Sequence, residues 1–141
     1  MKPRIGISGY QRVVETALGN YDKAVDCFER ALDVQPGDLT VEKKRFSAFI
    51  QGSSDIAAHL SSRGIDTLLI GGTATNICCE STARDAMMLN YKVVMVHDAL
   101  ATYTDEDHNA TLRTFYSLFG DVQTVDQAIG SMKRGLEKKV A

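Results

Sequence analysis

TLLIGGTATNICCESTARDA, running from Thr67 to Ala86, decides the fold of this chain. Thr67, Leu68, Leu69 and Ile70 lead an apolar run closed by Gly71 and Gly72. That is the pattern of a strand covered on both faces, as in a parallel sheet. A short polar turn follows, and a helix is expected to open near Cys78. On that helix Cys79, Ala83, Ala86 and Met87 share one apolar face. Cys78 falls on a different side, at the expected helix start, where unsatisfied N–H groups and the positive end of the macrodipole favour a thiolate. A strand, a glycine-rich elbow and a thiol at a helix N-terminus are the parts of an activated nucleophile. The opposing reading is a small core residue, because free cysteine is among the most buried residue types. For Cys79, core packing is the expectation.

The same alternation of strands and helices extends to either side. Upstream, Leu39 and Val41 alternate with polar residues, as in a strand, and lead into Lys43. An ammonium near a thiol lowers the thiol's pKa, whereas a lysine that merely follows a strand is a solvated charge. The pattern predicts a helix over 54–63, capped by Ser54, with Ile56, Ala57 and Leu60 facing inward and Gly64 ending it. Downstream, Asn90 closes the turn before a strand from Lys92 to Val96, and His97-Asp98 follows it. A helix is expected over 105–118, capped by Thr104, with an apolar stripe of Leu112, Phe115, Tyr116 and Phe119 and a stop at Gly120. Val122 and Val125 suggest a last short strand, then a helix from Asp126 into a basic tail. The whole is an α/β chain with a mostly parallel sheet, of the three-layer αβα kind.

Residues 1–35 read as an N-terminal segment apart from a domain over 36–141. Arg4 to Gly9 suits a very short strand. From Asn20 to Pro36, Tyr21, Ala24, Val25, Phe28, Ala31 and Leu32 make an amphipathic helix. The pattern from Gly19 to Pro36 resembles the second helix of a tetratricopeptide repeat. Repeat units need neighbours to bury their faces, so the segment is not expected to be a domain of its own. A helical protein-interaction module built on it is the alternative from another class.

Composition narrows the function. A chain of 141 residues, 44% hydrophobic and 24% charged, suits a globular domain with a real core. A net charge of −2 gives no basic footprint for nucleic acid. No apolar run approaches membrane-spanning length and no leader pattern opens the chain, so a cytoplasmic protein is expected. Three cysteines, two of them adjacent, do not make a disulfide framework.

The segment from Gly71 to Thr104 resembles the nucleophile region of the isochorismatase-like cysteine hydrolases, a family that includes nicotinamidases and ureidoacrylate and biuret amidohydrolases. The motif G-x-x-T-x-x-C-x-x-x-T-A-x-D-A is met by Gly72, Thr75, Cys78, Thr82, Ala83, Asp85 and Ala86. Pro36 to Phe49 resembles the segment that delivers the family's lysine, which by position is Lys43. The resemblance implies a Rossmann-like, isochorismatase-type fold and a catalytic pair of Cys78 and Lys43. It also implies an oxyanion hole from the N–H groups of Ala74 and Cys78, with a cis peptide between Thr73 and Ala74. Phe49 is expected to line the pocket wall, and Asn76 to meet a substrate carbonyl or ureide nitrogen, although turn asparagines often serve only the turn.

The family's triad adds an aspartate at the end of a first strand, and the front part of the fold reads as missing or replaced. Asp33-Val34-Gln35 lies inside a helical pattern, and Ser8 stands at about the aspartate's place. His59, His97 and His108 lack ligand spacing, so neither metal nor cofactor is expected. A homo-oligomer, or a substitute element, is expected to cover the edge of the Thr67 strand. The function implied is cleavage of the C–N bond of a small amide or ureide through a thioester. The alternative within the family is a truncated, impaired pseudo-enzyme without the aspartate.

Overall fold

The computed structural model describes residues 5–8 and 38–140. The helix expected over 20–36, its tetratricopeptide-like pattern and Asp33-Val34-Gln35 lie outside the described residues. The elements run in chain order as β1 (Ile5–Ser8), β2 (Leu39–Glu42), α1 (Ile56–Ser62), β3 (Thr67–Thr73), α2 (Glu80–Met88), β4 (Lys92–Ala101), α3 (Asp105–Leu118), β5 (Asp121–Gln123) and α4 (Val125–Val140). Among the described residues all strand pairings are parallel, with helices flanking them, which is the expected α/β arrangement. They form two ladders: β1 with β2, and β3–β4–β5 in that order.

β3 is longer than its apolar run predicts, and so is β4. Ile70 pairs with Met95, after which the register slips and Gly72 and Thr73 pair with Leu100 and Ala101. The Gly-Gly pair permits this. A Cβ on Gly71 would stand 3.2 Å from the Ala99 carbonyl oxygen, and Gly72 has φ +122°. A side chain at the first position would push β4 away, and the second needs a backbone that L-residues rarely adopt. β3 is not covered along its length: Ile70 is buried, but Leu69 is 43% exposed.

Two apolar clusters hold the fold. One packs α2 and α3 on β3 and β4 through Ile70, Ala83, Ala86, Met95, Leu112 and Phe115. The other joins β2 to α1 through Val41, Ala48, Ile56 and Leu60, and Phe49, Leu68 and Tyr91 border both. Burying one large side chain such as Phe115 stabilises by roughly 1.5–3 kcal/mol.

Local signals explain most boundaries. Thr104 caps α3 by accepting the Asp107 N–H at 3.1 Å. Gly64 and Asn90 take positive φ where α1 and α2 end. α1 begins at Ile56 rather than Ser54, although the Ser54 hydroxyl accepts the Ile56 N–H at 3.3 Å. Ala57 is exposed, since so short a helix buries only the strip through Ile56 and Leu60. On α3, Tyr116 is 66% exposed and Thr111 is buried instead, because the stripe leans toward the side of Leu112 and Phe115 that faces the sheet. α4 starts with a reciprocal cap: Thr124 Oγ1 accepts the Gln127 N–H and Gln127 Oε1 accepts the Thr124 N–H. Asp98 Oδ1 accepts the Val125 N–H at 2.8 Å, which ties β4 to the start of α4.

Candidate active site

The elbow after β3 is the centre of the site. The Thr73–Ala74 peptide is cis. The helical path then opens at Thr75, not near Cys78, with a wide π-type turn over Thr75–Cys79 that runs straight into α2. The Ala74 carbonyl accepts both the Ile77 and the Cys79 N–H at 3.2 Å, and this double acceptance winds the turn. Cys78 therefore sits a full turn inside the helical path, and its start is marked by Ala74.

Cys78 and Cys79 are equally buried, at 7% exposure each, and both are free thiols. Their surroundings differ. Cys79 joins the apolar cluster of Ile70, Ala83 and Met95, as its face predicts, whereas Cys78 belongs to neither cluster. Burial pushes the Cys79 thiol up to about 12, the neighbouring Cys78 adds to this, and the positive charge of Lys43 opposes it. The Lys43 ammonium is thus within electrostatic reach of Cys79.

Lys43 leaves the end of β2 and turns back on its own loop. Its Nζ donates to the carbonyls of Arg45 (3.1 Å) and Phe46 (3.3 Å). An ammonium has three N–H bonds, so one stays uncommitted among the described residues. The loop is tied down by hydroxyls. Ser53 Oγ donates to the Ser47 carbonyl at 2.5 Å and Ser54 Oγ to the Ala48 carbonyl at 2.7 Å. The Ala48 N–H donates to Thr82 Oγ1 on α2 at 3.2 Å, and that hydroxyl reaches the Phe46 carbonyl at 3.4 Å.

The remaining expected residues have protein partners. Asn76 Oδ1 accepts the Thr102 hydroxyl at 2.6 Å, so this oxygen holds the elbow to the end of β4. Thr75, fully buried, pairs through Oγ1 with His108 Nδ1 at 3.0 Å. Phe49 is half-buried and packs its ring 5.4 Å from Tyr91, between the two clusters. No three His, Cys, Asp or Glu side chains converge as a metal cluster among the described residues. An open groove of about 480 Å³ beside the loop is lined by Glu42, Lys44, Ser54, Asp55 and His59, and it includes neither Cys78 nor Lys43.

Sequence reasoning did not foresee the roles of Thr82, Thr102 and His108. For Thr82 a signal was present, since it stands in the motif beside Ala83 and Ala86. Both alanines are fully buried against the sheet, so α2 approaches closely enough for Thr82 to touch the Lys43 loop.

A family model for the isochorismatase domain matches residues 16–127. An uncharacterized isochorismatase family protein of Bacillus subtilis is 41% identical over 106 residues, 75% of this chain and 55% of that protein. A ureidoacrylate amidohydrolase of Variovorax paradoxus is 41% identical over 98 residues, 69% of this chain and 38% of that protein. Among solved structures, a cysteine hydrolase from Pseudomonas syringae pv. phaseolicola superposes with a TM-score of 0.72 at 28% identity, covering 92% of this chain and 71% of that one. The chain spans about half the length of the curated relatives it matches, or less.

Proposed function

The chain belongs to the isochorismatase family, and from that premise we propose that it is a cysteine hydrolase cleaving the C–N bond of a small amide or ureide. The supporting observation is the split between adjacent, equally buried cysteines. Cys79 packs into the apolar cluster of Ile70 and Met95, while Cys78 joins neither apolar cluster and occupies the elbow after the cis Thr73–Ala74 peptide. The ureidoacrylate amidohydrolase among the relatives points to the same bond class.

In this reading the Cys78 thiolate adds to the carbonyl carbon of the substrate. The developing oxyanion is held by the N–H groups of Ala74 and Cys78. Collapse breaks the C–N bond, the amine leaves with a proton drawn from solvent water, and the acyl group remains on Cys78 as a thioester. Water adds to the thioester, and the thiolate is expelled as the acid forms. Lys43 favours the thiolate through its positive charge, and its uncommitted N–H is available to the reacting groups.

One observation favours a second reading, a scaffold that acylates but turns over slowly. β1 ends at Ser8, about where the family resemblance puts the proton-accepting aspartate, and Ser8 registers with Glu42 beside Lys43. General acid–base help of that kind is typically worth about 10²–10⁴-fold.

The test is incubation with a panel of small amides and ureides, reading amine release together with intact-protein mass. Sustained release that is lost in Cys78→Ala and falls steeply in Lys43→Met is the expected result. A stable acyl adduct on Cys78 without turnover selects the second reading. Undiminished release by Cys78→Ala overturns both.

A further inference from the structure

We infer that Thr82 is a positioning residue for the site: its hydroxyl fixes the loop that carries Lys43 onto the helix that follows Cys78, and so sets where the Lys43 ammonium stands. The inference rests on the proposed roles of Lys43 and Cys78 and deepens them.

Thr82 is buried at 5% exposure, on the second turn of the helical path that begins in the elbow. Its oxygen uses both of its capabilities on one loop, accepting from Ala48 N–H and reaching the Phe46 carbonyl. The same Phe46 carbonyl accepts from Lys43 Nζ. One oxygen atom of the main chain is therefore shared between the ammonium and the Thr82 hydroxyl. Moving Thr82 moves that carbonyl, and moving the carbonyl moves the charge.

The other ties of this loop do not do the same work. Ser53 and Ser54 bond it to the segment leading into α1, which holds the loop's own shape. Among the hydrogen bonds of the described residues in this loop, those of Thr82 cross from positions 46 and 48 to α2, the element continuous with Cys78. The loop would keep its turns without Thr82 but lose its registration to the thiol.

In the proposed mechanism Lys43 acts through its charge, so the consequence to look for is a change in thiol reactivity rather than in shape. Removing the Thr82 hydroxyl leaves the ammonium on a loop free to shift, and charge interactions fall with distance and with added water.

The experiment measures the rate of Cys78 alkylation by iodoacetamide against pH, with peptide mapping to separate it from Cys79. It compares the parent chain with Lys43→Gln, Thr82→Val, Thr82→Ser and the double variant Lys43→Gln/Thr82→Val. Thermal melts establish that each is folded, and Thr82→Ala replaces Thr82→Val if that variant does not fold. The expected result is a midpoint raised by Lys43→Gln and, in the same direction, by Thr82→Val. At pH 7 this slows alkylation by roughly threefold or more. Thr82→Ser should track the parent, and the double variant should go no further than Lys43→Gln alone. A folded Thr82→Val with the parent midpoint, while Lys43→Gln is shifted, overturns the inference and leaves the role of Lys43 standing. An unshifted Lys43→Gln overturns the electrostatic role of Lys43, and the inference falls with it.

Discussion

His108 Nδ1 lies 3.0 Å from Thr75 Oγ1, across 33 residues of chain and at the first fully buried position of the elbow. One residue on, Asn76 accepts from Thr102. The turn that presents Cys78 is therefore pinned at two successive residues, to His108 in the first turns of α3 and to Thr102 in the connection before it. Replacing Thr75 by Val keeps the shape but leaves the ring nitrogen of His108 without this partner. The expected loss is about 1–2 kcal/mol of unfolding free energy, read from urea midpoints, with Thr75→Ser losing less. A Thr75→Val chain as stable as the parent would show that the pairing contributes nothing to the elbow.

The raised pKa of Cys79 carries a consequence at alkaline pH. The unfolded chain gives up this proton near the ordinary value of 9.0, while the folded chain keeps it until about 12. Between those values the folded state binds more protons, so stability falls as pH rises. Its contribution is fully present below pH 9.0 and is lost progressively toward about 12. Urea unfolding at a series of pH values from neutral to about 11 should show the parent losing more stability than Cys79→Ala. Parallel curves would place Cys79 in a far less apolar setting than its neighbours Ile70 and Met95 imply.

Gly120 is required by space. A Cβ there would lie 2.4 Å from the Val93 carbonyl oxygen and 2.8 Å from Phe115 Cε1. One obstacle is main chain in a central strand and the other is the most deeply buried ring, so neither yields cheaply. Gly120→Ala should cost about 1–3 kcal/mol, the range for overpacking, seen as a lowered thermal midpoint. Gly52 meets nothing within 4 Å but has φ +75°, so Gly52→Ala is strained by backbone alone and provides a contrasting control.

What was legible in the sequence is what short-range chemistry decides. The apolar run at Thr67, the alanine face of α2, the cap at Thr104 and the reversal at Asn90 each follow from residues within one turn or strand. The continuation of β3 and β4 was not legible, because the pairing of Gly72 with Leu100 joins segments far apart in the chain. Spacing alone puts Tyr116 on the apolar stripe, but spacing does not say how wide the sheet-facing side of α3 is, and Tyr116 is exposed. At the elbow, the motif pointed to the cis Thr73–Ala74 bond. The contacts of Asn76 with Thr102 and of Thr82 with Ala48 were not legible, since hydroxyls carry no pattern of their own.

The Lys43 loop is anchored through its main chain. Hydroxyls from Ser53, Ser54 and Thr82 grip carbonyls and an N–H at positions 46–48. Lys44, Arg45, Phe46 and Ile50 meanwhile stand exposed at the surface. Such a loop keeps its hold apart from its outer face: substitutions at those four positions should leave the anchoring of Lys43 in place, since none of these hydroxyl bonds runs through their side chains.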